Sequence, residues 1–228
     1  MSKTTLNNIF FVGGDEFSEK CVSMDTWVLN RTKSPRPVVA IVPTAAAHES
    51  PNRAAENGSI HFKKLGAETI EPMILSRKDA YDQSKLSELN QANLIYFTGG
   101  NPQHLLDTIR GTPTEIALKE ALIKGTILAG SSAGAMIMGS LMRYRRWIDS
   151  LGIVENLAIL PHHEKSSPEV VINDCSSELS KGLRIIGVDG ATGIFISNGE
   201  AHVLGAGIVT KYSPKGFLKF KSGEQFQL

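Results

Sequence analysis

Residues 125–139, Gly-Thr-Ile-Leu-Ala-Gly-Ser-Ser-Ala-Gly-Ala-Met-Ile-Met-Gly, leave few folds open to this chain. The short apolar run over 126–129 reads as a buried strand. It breaks at Gly130 and passes into small residues with helical spacing. Gly130-Ser131-Ser132-Ala133-Gly134 therefore fits G-x-S-x-G at a strand-to-helix junction, the setting of a nucleophile elbow. A serine on so tight a turn exposes its Oγ, while the flanking glycines lack the Cβ that would strike the neighbouring strand and helix. The following helix would aim free N–H groups and its positive end at that oxygen. Close packing or phosphate binding could use the same residues. The strand before and the helix after favour a nucleophile, Ser132.

Strands and helices alternate around this unit. Residues 8–12, 38–42, 69–75 and 93–97 read as strands, the third nearer an edge because Pro72 cannot donate to a ladder. Between them lie helical segments over 16–30, with apolar Phe17, Cys21, Met24, Trp27 and Val28, and over 51–66, capped by Ser50 with Pro51 behind it. A short turn at 86–90 precedes the fourth strand. Two helices then start at Asn101-Pro102 and Thr112-Pro113, the second ending at Gly125. This alternation, running through residue 142, predicts a three-layer α/β/α arrangement with a mostly parallel sheet. Its chemistry belongs at the carboxyl ends of the strands. Those ends are Gly13-Gly14, Pro43-Thr44, Thr98-Gly99-Gly100-Asn101 and Ser131-Ser132, all rich in glycine or hydroxyl groups.

Beyond the elbow, Arg143-Tyr144-Arg145-Arg146 reads as the solvated end of the elbow helix. Residues 157–160 and 184–188 read as strands, and a helix from Ser167-Pro168 to Lys181-Gly182 separates them. From Gly193 on, short apolar runs with turns at 197–199 and 213–216 have the rhythm of antiparallel hairpins. We read them as an edge extension of the same sheet, so that residues 1–228 form one domain. A net charge of +1 gives no reason to expect nucleic acid or a membrane surface as partner. Residues 1–8 carry no leader signal, and no apolar run reaches membrane-spanning length. The two cysteines, Cys21 and Cys175, form no C-x-x-C pair and point to free thiols in the cytoplasm. No cofactor is called for, and a homodimer is left open.

A serine nucleophile needs a base, an orienting acid and an oxyanion hole. His48, His61 and His202 have no neighbouring chemistry, whereas His104 lies in the first turn after Asn101. His162 and His163 follow a strand directly and can reach Ser132. As a metal site this pair lacks further ligands, so no metal is expected. An ordinary α/β-hydrolase would place its histidine after the acid, which disfavours that fold.

Ile95-Tyr96-Phe97-Thr98-Gly99-Gly100-Asn101-Pro102-Gln103, Arg110-Gly111-Thr112-Pro113 and Ala129-Gly130-Ser131-Ser132-Ala133-Gly134-Ala135 resemble the serine peptidase family of cyanophycinase and aspartyl dipeptidase. Phe11-Val12-Gly13-Gly14-Asp15-Glu16 and Ile41-Val42-Pro43-Thr44-Ala45 match it too. The resemblance implies a class I glutamine-amidotransferase-like (flavodoxin-like) fold, a small peptide substrate, Ser132 as nucleophile and His162 as base. It places the oxyanion hole at the Gly100 and Ala133 N–H groups. Asn101, Gln103 and His163 are the candidate substrate-binding residues. The family's acid position falls on Gly190, so the adjacent Asp189 is expected to orient His162, ahead of Glu155 and Glu164. Leu160 and His163 also depart from the family's polar and aromatic positions around the histidine. No arginine between His163 and Lys181 matches the family's substrate arginine. These departures keep a second expectation open, a relative that retains the fold as a binding or assembly module.

Overall fold

The computed structural model describes residues 8–228; residues 1–7, part of the stretch expected to carry no leader, lie outside the described residues. Five strands form the parallel part of the main sheet: β1 (Ile9–Val12), β2 (Val38–Val42), β3 (Glu68–Ile70), β4 (Leu94–Phe97) and β5 (Ile127–Ser131). The helices among them are α1 (Val22–Leu29), α2 (Pro51–Lys64), α3 (Gln83–Gln91), α4 (Pro102–Ile109) and α5 (Pro113–Ile123), with α6 (Ala133–Met138) leaving the elbow. A hairpin of β6 (Leu141–Tyr144) and β7 (Arg146–Asp149) follows. Next come β8 (Leu157–Leu160), α7 (Pro168–Asp174), α8 (Ser176–Ser180) and β9 (Arg184–Val188). The chain closes with β10 (Thr192–Ser197), β11 (Glu200–Gly205), β12 (Val209–Ser213), β13 (Gly216–Phe220) and β14 (Gln225–Gln227).

Main-sheet order is β14-β11-β10-β1-β5-β4-β2-β3. Alternation along each central strand sends neighbouring residues to opposite faces. Phe10, Val12, Val39, Ile41, Leu94 and Tyr96 pack with Met24, Val28 and Phe62 of α1 and α2. Phe11, Ala40, Val42, Ile95, Phe97 and Leu128 pack with Leu89, Leu105, Leu118 and Ile137 of α3 to α6. This is the expected mixed α/β architecture with helices on both faces. Register aligns Val12 with Ser131, Phe97 with Gly130 and Val42 with Phe97, so the carboxyl ends of β1, β2, β4 and β5 share one edge.

Several expectations change in detail. The strand expected over 69–75 is the short β3, because the chain turns back at Pro72, whose carbonyl takes the Ile74 N–H at 2.8 Å. Residues 16–30 yield a 3-10 turn at Glu19–Cys21 before α1, since Asp15 and Phe17 hold positive φ and start no helix. The basic run is a hairpin and no helix end: α6 stops at Met138, and Arg145 turns at φ 60° between β6 and β7. The helix expected after Ser167 is broken into α7 and α8 at Cys175. The C-terminal hairpins divide. β10, β11 and β14 do extend the main sheet, but β12 and β13 join β8 and β9 in a second sheet of order β13-β12-β9-β8. That sheet turns Ile159, Ile186, Val188 and Val209 to the main core, and Ala158, Ile185 and Tyr212 to Val171 and Leu179 of α7 and α8.

One close approach in this architecture lies where the elbow helix crosses β4. A Cβ on Gly134 would stand 2.6 Å from the Phe97 carbonyl oxygen, so α6 can cross β4 there only on a glycine. Gly134→Ala is expected to lower stability by about 1–3 kcal/mol through overpacking. Denaturant unfolding measures this, and an unchanged midpoint contradicts it.

Candidate active site

β5 carries Ser131 to the sheet edge, and the chain reverses at Ser132 with φ 47° and ψ −105°. That conformation costs a non-glycine residue about 1–3 kcal/mol and persists only where the surroundings enforce it. Here they do: the Ser132 N–H donates to the Val12 carbonyl at 3.0 Å, and the Ser132 carbonyl takes the Met136 N–H at 3.0 Å. The turn after β4 is equally determined. Thr98 donates its N–H to Val42 at 3.2 Å and Asn101 to Ala45 at 2.8 Å. The Gly99 N–H goes to the Glu16 carboxylate at 2.7 Å. Gly100, at φ 136°, would drive a Cβ to 2.3 Å from the Ala45 oxygen, so glycine alone fits. Among the described residues, the N–H groups of Gly100 and of Ala133, at the head of α6, have no hydrogen-bond partner.

His162 follows β8 and Pro161 in the left-handed region, φ 49° and ψ 42°. Its N–H donates to the Gly13 carbonyl at 2.8 Å. The imidazole rests on Gly14, where a Cβ would stand 2.1 Å from Cε1. The ring is thus located by the backbone of the β1 end. Ser132, His162, Gly99, Gly100 and Glu16 line a cleft of about 370 Å³ together with Ala46, Glu49, Ser50, Arg53 and Asn57. His162 Nδ1 is buried and has no partner among the described residues.

The other expected site residues are placed differently. Among the described residues Asp189 makes no hydrogen bond to His162: its Oδ2 accepts the Ile208 N–H at 2.8 Å, beside the start of β12. Gly190 is instead ringed by two other carboxylates. Its N–H donates to Glu164 at 2.8 Å, and the Asp15 carboxylate lies 2.5 Å from where a Cβ would be. Burial opposes ionisation of Glu164, yet the Gly190 N–H and nearby His162 hold its carboxyl below the ordinary value. His163 is buried away from the cleft under Gly187, with Nε2 2.6 Å from the Tyr212 hydroxyl. Asn101 caps α4, accepting from Gln103 and His104 N–H at 3.0 and 3.1 Å, and Gln103 donates along the helix to Asp107 at 2.9 Å. His104, the other candidate base, has Nε2 2.9 Å from the Leu75 carbonyl and faces His48.

Sequence reasoning missed Glu16, Glu49, Arg53 and Asn57 as cleft residues. Arg53 and Asn57 stand four apart on α2 and so share a face, the one available signal. It also missed the partner of His61, whose Nε2 lies 2.8 Å from buried Asp25. Burial pushes the Cys21 thiol up to about 11, and Cys175 is likewise free and buried. Among the described residues no group of three or more metal-ligating side chains is gathered, and no helix is long and apolar enough to cross a membrane.

The family model described as peptidase family S51 matches residues 9–204. A cyanophycinase of Synechococcus elongatus is 25% identical over 237 residues, covering 94% of this chain and 72% of its own. An uncharacterized peptidase of Listeria monocytogenes is 24% identical over 173 residues, 71% of this chain and 83% of its own. Among solved structures, a peptidase from an acI-B1 actinobacterium superposes with a TM-score of 0.83 at 25% identity, covering 98% of this chain and 97% of its own.

The buried His163 makes stability depend on pH. Burial pushes its imidazole below the ordinary value, against the opposing pull of the Asp189 and Glu164 carboxylates, with Lys219 adding to the depression. The unfolded chain then binds a proton that the folded one resists. This contribution is complete above the unfolded value of about 6.5 and is lost as pH falls below it. Denaturant midpoints should drop between about pH 7 and 5, with a shallower drop in His163→Gln; an equal slope in the two proteins contradicts this role.

Proposed function

The chain belongs to peptidase family S51 and is a serine peptidase, and on that premise we propose that it cleaves a small peptide or isopeptide bond through Ser132 and His162. One observation carries the reading. A serine in a strained elbow shares a cleft with an imidazole and with Gly100, whose N–H, like that of Ala133, has no partner among the described residues. Ser132 Oγ attacks the scissile carbonyl while His162 takes its proton. The oxyanion is held by the Gly100 and Ala133 N–H groups, dipoles already fixed before the charge develops. His162 returns the proton to the leaving amine, and water then releases the acyl group by the reverse sequence.

No carboxylate is bonded to His162 Nδ1 among the described residues, so backbone contacts at Gly13 and Gly14 orient the ring in this scheme. Removing the orienting aspartate of a serine-protease triad costs about 10⁴ in kcat, and turnover slower than that of a full triad is expected. Intact elbow geometry and two free donors favour an enzyme over the binding-module alternative. Arg53 is a permanent cation on the cleft wall, and we assign it to a carboxylate of the substrate. The buried free thiols support a cytoplasmic setting.

Ser132→Ala is expected to lose hydrolysis of a dipeptide library by about 10⁴-fold or more and to take no fluorophosphonate label; a fully active Ser132→Ala protein ends the proposal. Arg53→Gln should raise KM for acidic substrates by about 10-fold with little change in kcat. An unaltered KM removes Arg53 from substrate binding.

A further inference from the structure

Glu16 reaches two groups far away in sequence. Its Oε1 accepts the Gly99 N–H at 2.7 Å, across 83 residues, and its Oε2 accepts the Ser131 hydroxyl at 2.7 Å, across 115 residues. One side chain, from the turn leaving β1, thereby ties the ends of β4 and β5 together. Both tied groups adjoin residues of the proposed site: Gly99 precedes the oxyanion donor Gly100, and Ser131 precedes the nucleophile Ser132. The position Gly99 Cβ would take is 3.0 Å from Glu16 Oε1 and 3.5 Å from Ser132 Cβ, so the three meet at the cleft wall.

The turn after β4 presents four successive N–H groups. Val42, Glu16 and Ala45 engage those of Thr98, Gly99 and Asn101, and only Gly100 keeps its N–H free among the described residues. A carboxylate beside a developing oxyanion is electrostatically unfavourable unless its charge is taken up by hydrogen bonds. Both Glu16 oxygens are so engaged, and charge-assisted bonds of this kind are roughly twice as strong as neutral ones. We propose that Glu16 is the positioning residue of the oxyanion hole: it fixes the turn at 98–101 against the elbow and leaves the Gly100 N–H directed at the reacting carbonyl. This rests on the reading of Ser132 as nucleophile.

The test compares full-length wild type, Glu16→Gln and Glu16→Ala by amide hydrogen exchange at residues 98–101 and by the rate of fluorophosphonate labelling at Ser132. The glutamine oxygen can still accept the Gly99 N–H while its amide nitrogen donates to Ser131 Oγ. Glu16→Gln should therefore exchange like wild type and label within about 10-fold of its rate. Glu16→Ala should exchange faster at 98–101 and label about 10²–10³-fold more slowly, the usual cost of losing one oxyanion donor. Wild-type exchange and labelling in Glu16→Ala overturn the proposal. So does slower labelling shared by Glu16→Gln with exchange at 98–101 unchanged in both variants, which would tie the rate to the charge of Glu16 and not to the turn. Exchange reads the turn whether or not the probe reacts. A wild-type protein that takes no label at Ser132 thus counts against the nucleophile, while exchange still decides for or against Glu16.

Discussion

A Cβ on Gly130 would stand 2.4 Å from the Gly134 carbonyl carbon, and this near-contact between β5 and α6 governs the geometry of the site. A helix that begins so close to its own strand forces the intervening residue to positive φ, and Ser132 is that residue. The strain is balanced by the bonds of its N–H to β1 and its carbonyl to α6, and by the burial of α6. Parallel register then brings the ends of β1 and β4 alongside, so that Gly13-Gly14 supports His162 and Gly99-Gly100 faces the serine. Gly13, Gly14, Gly100, Gly130 and Gly134 mark places where two backbones, or a backbone and a ring, come too near for a side chain.

What could be read from sequence follows the range of the interactions involved. The elbow was legible because a strand, a tight turn and a helix are written in contiguous residues. The Asn101 cap was legible for the same reason, and its side chain does accept from the first turn of α4. The hairpin turns at 197–199 and 213–216 also fall where glycine, asparagine and proline put them. Assigning strands to sheets was harder. A fully buried apolar run says that both faces are covered without saying by which neighbours, and so β8, β9, β12 and β13 form a sheet of their own.

The candidate site divides in the same way. Ser132, His162, Gly100 and Ala133 follow local patterns and a family resemblance. Asp189 was chosen by adjacency to Gly190, but the carboxylate at a strand end bonds to whichever N–H its rotamer meets, here that of Ile208. Glu16 stands in sequence only as the last residue of a matched stretch, and Arg53 is marked only by its four-residue spacing from Asn57 on α2. Their roles depend on contacts with residues distant in sequence. Two carboxylates, Asp15 and Glu164, surround Gly190 where a single side chain was expected, and His162 is held by backbone instead.

The central claim is that an activated Ser132 faces two prepared N–H donors and the His162 imidazole. It is tested most directly by a crystal structure of the protein after reaction with a fluorophosphonate. The account predicts phosphorus on Ser132 Oγ, its oxygen about 3 Å from both the Gly100 and Ala133 nitrogens, and a His162 nitrogen within about 3 Å of Oγ. An adduct on another residue, or a phosphonyl oxygen turned to solvent with His162 remote from Oγ, would contradict it.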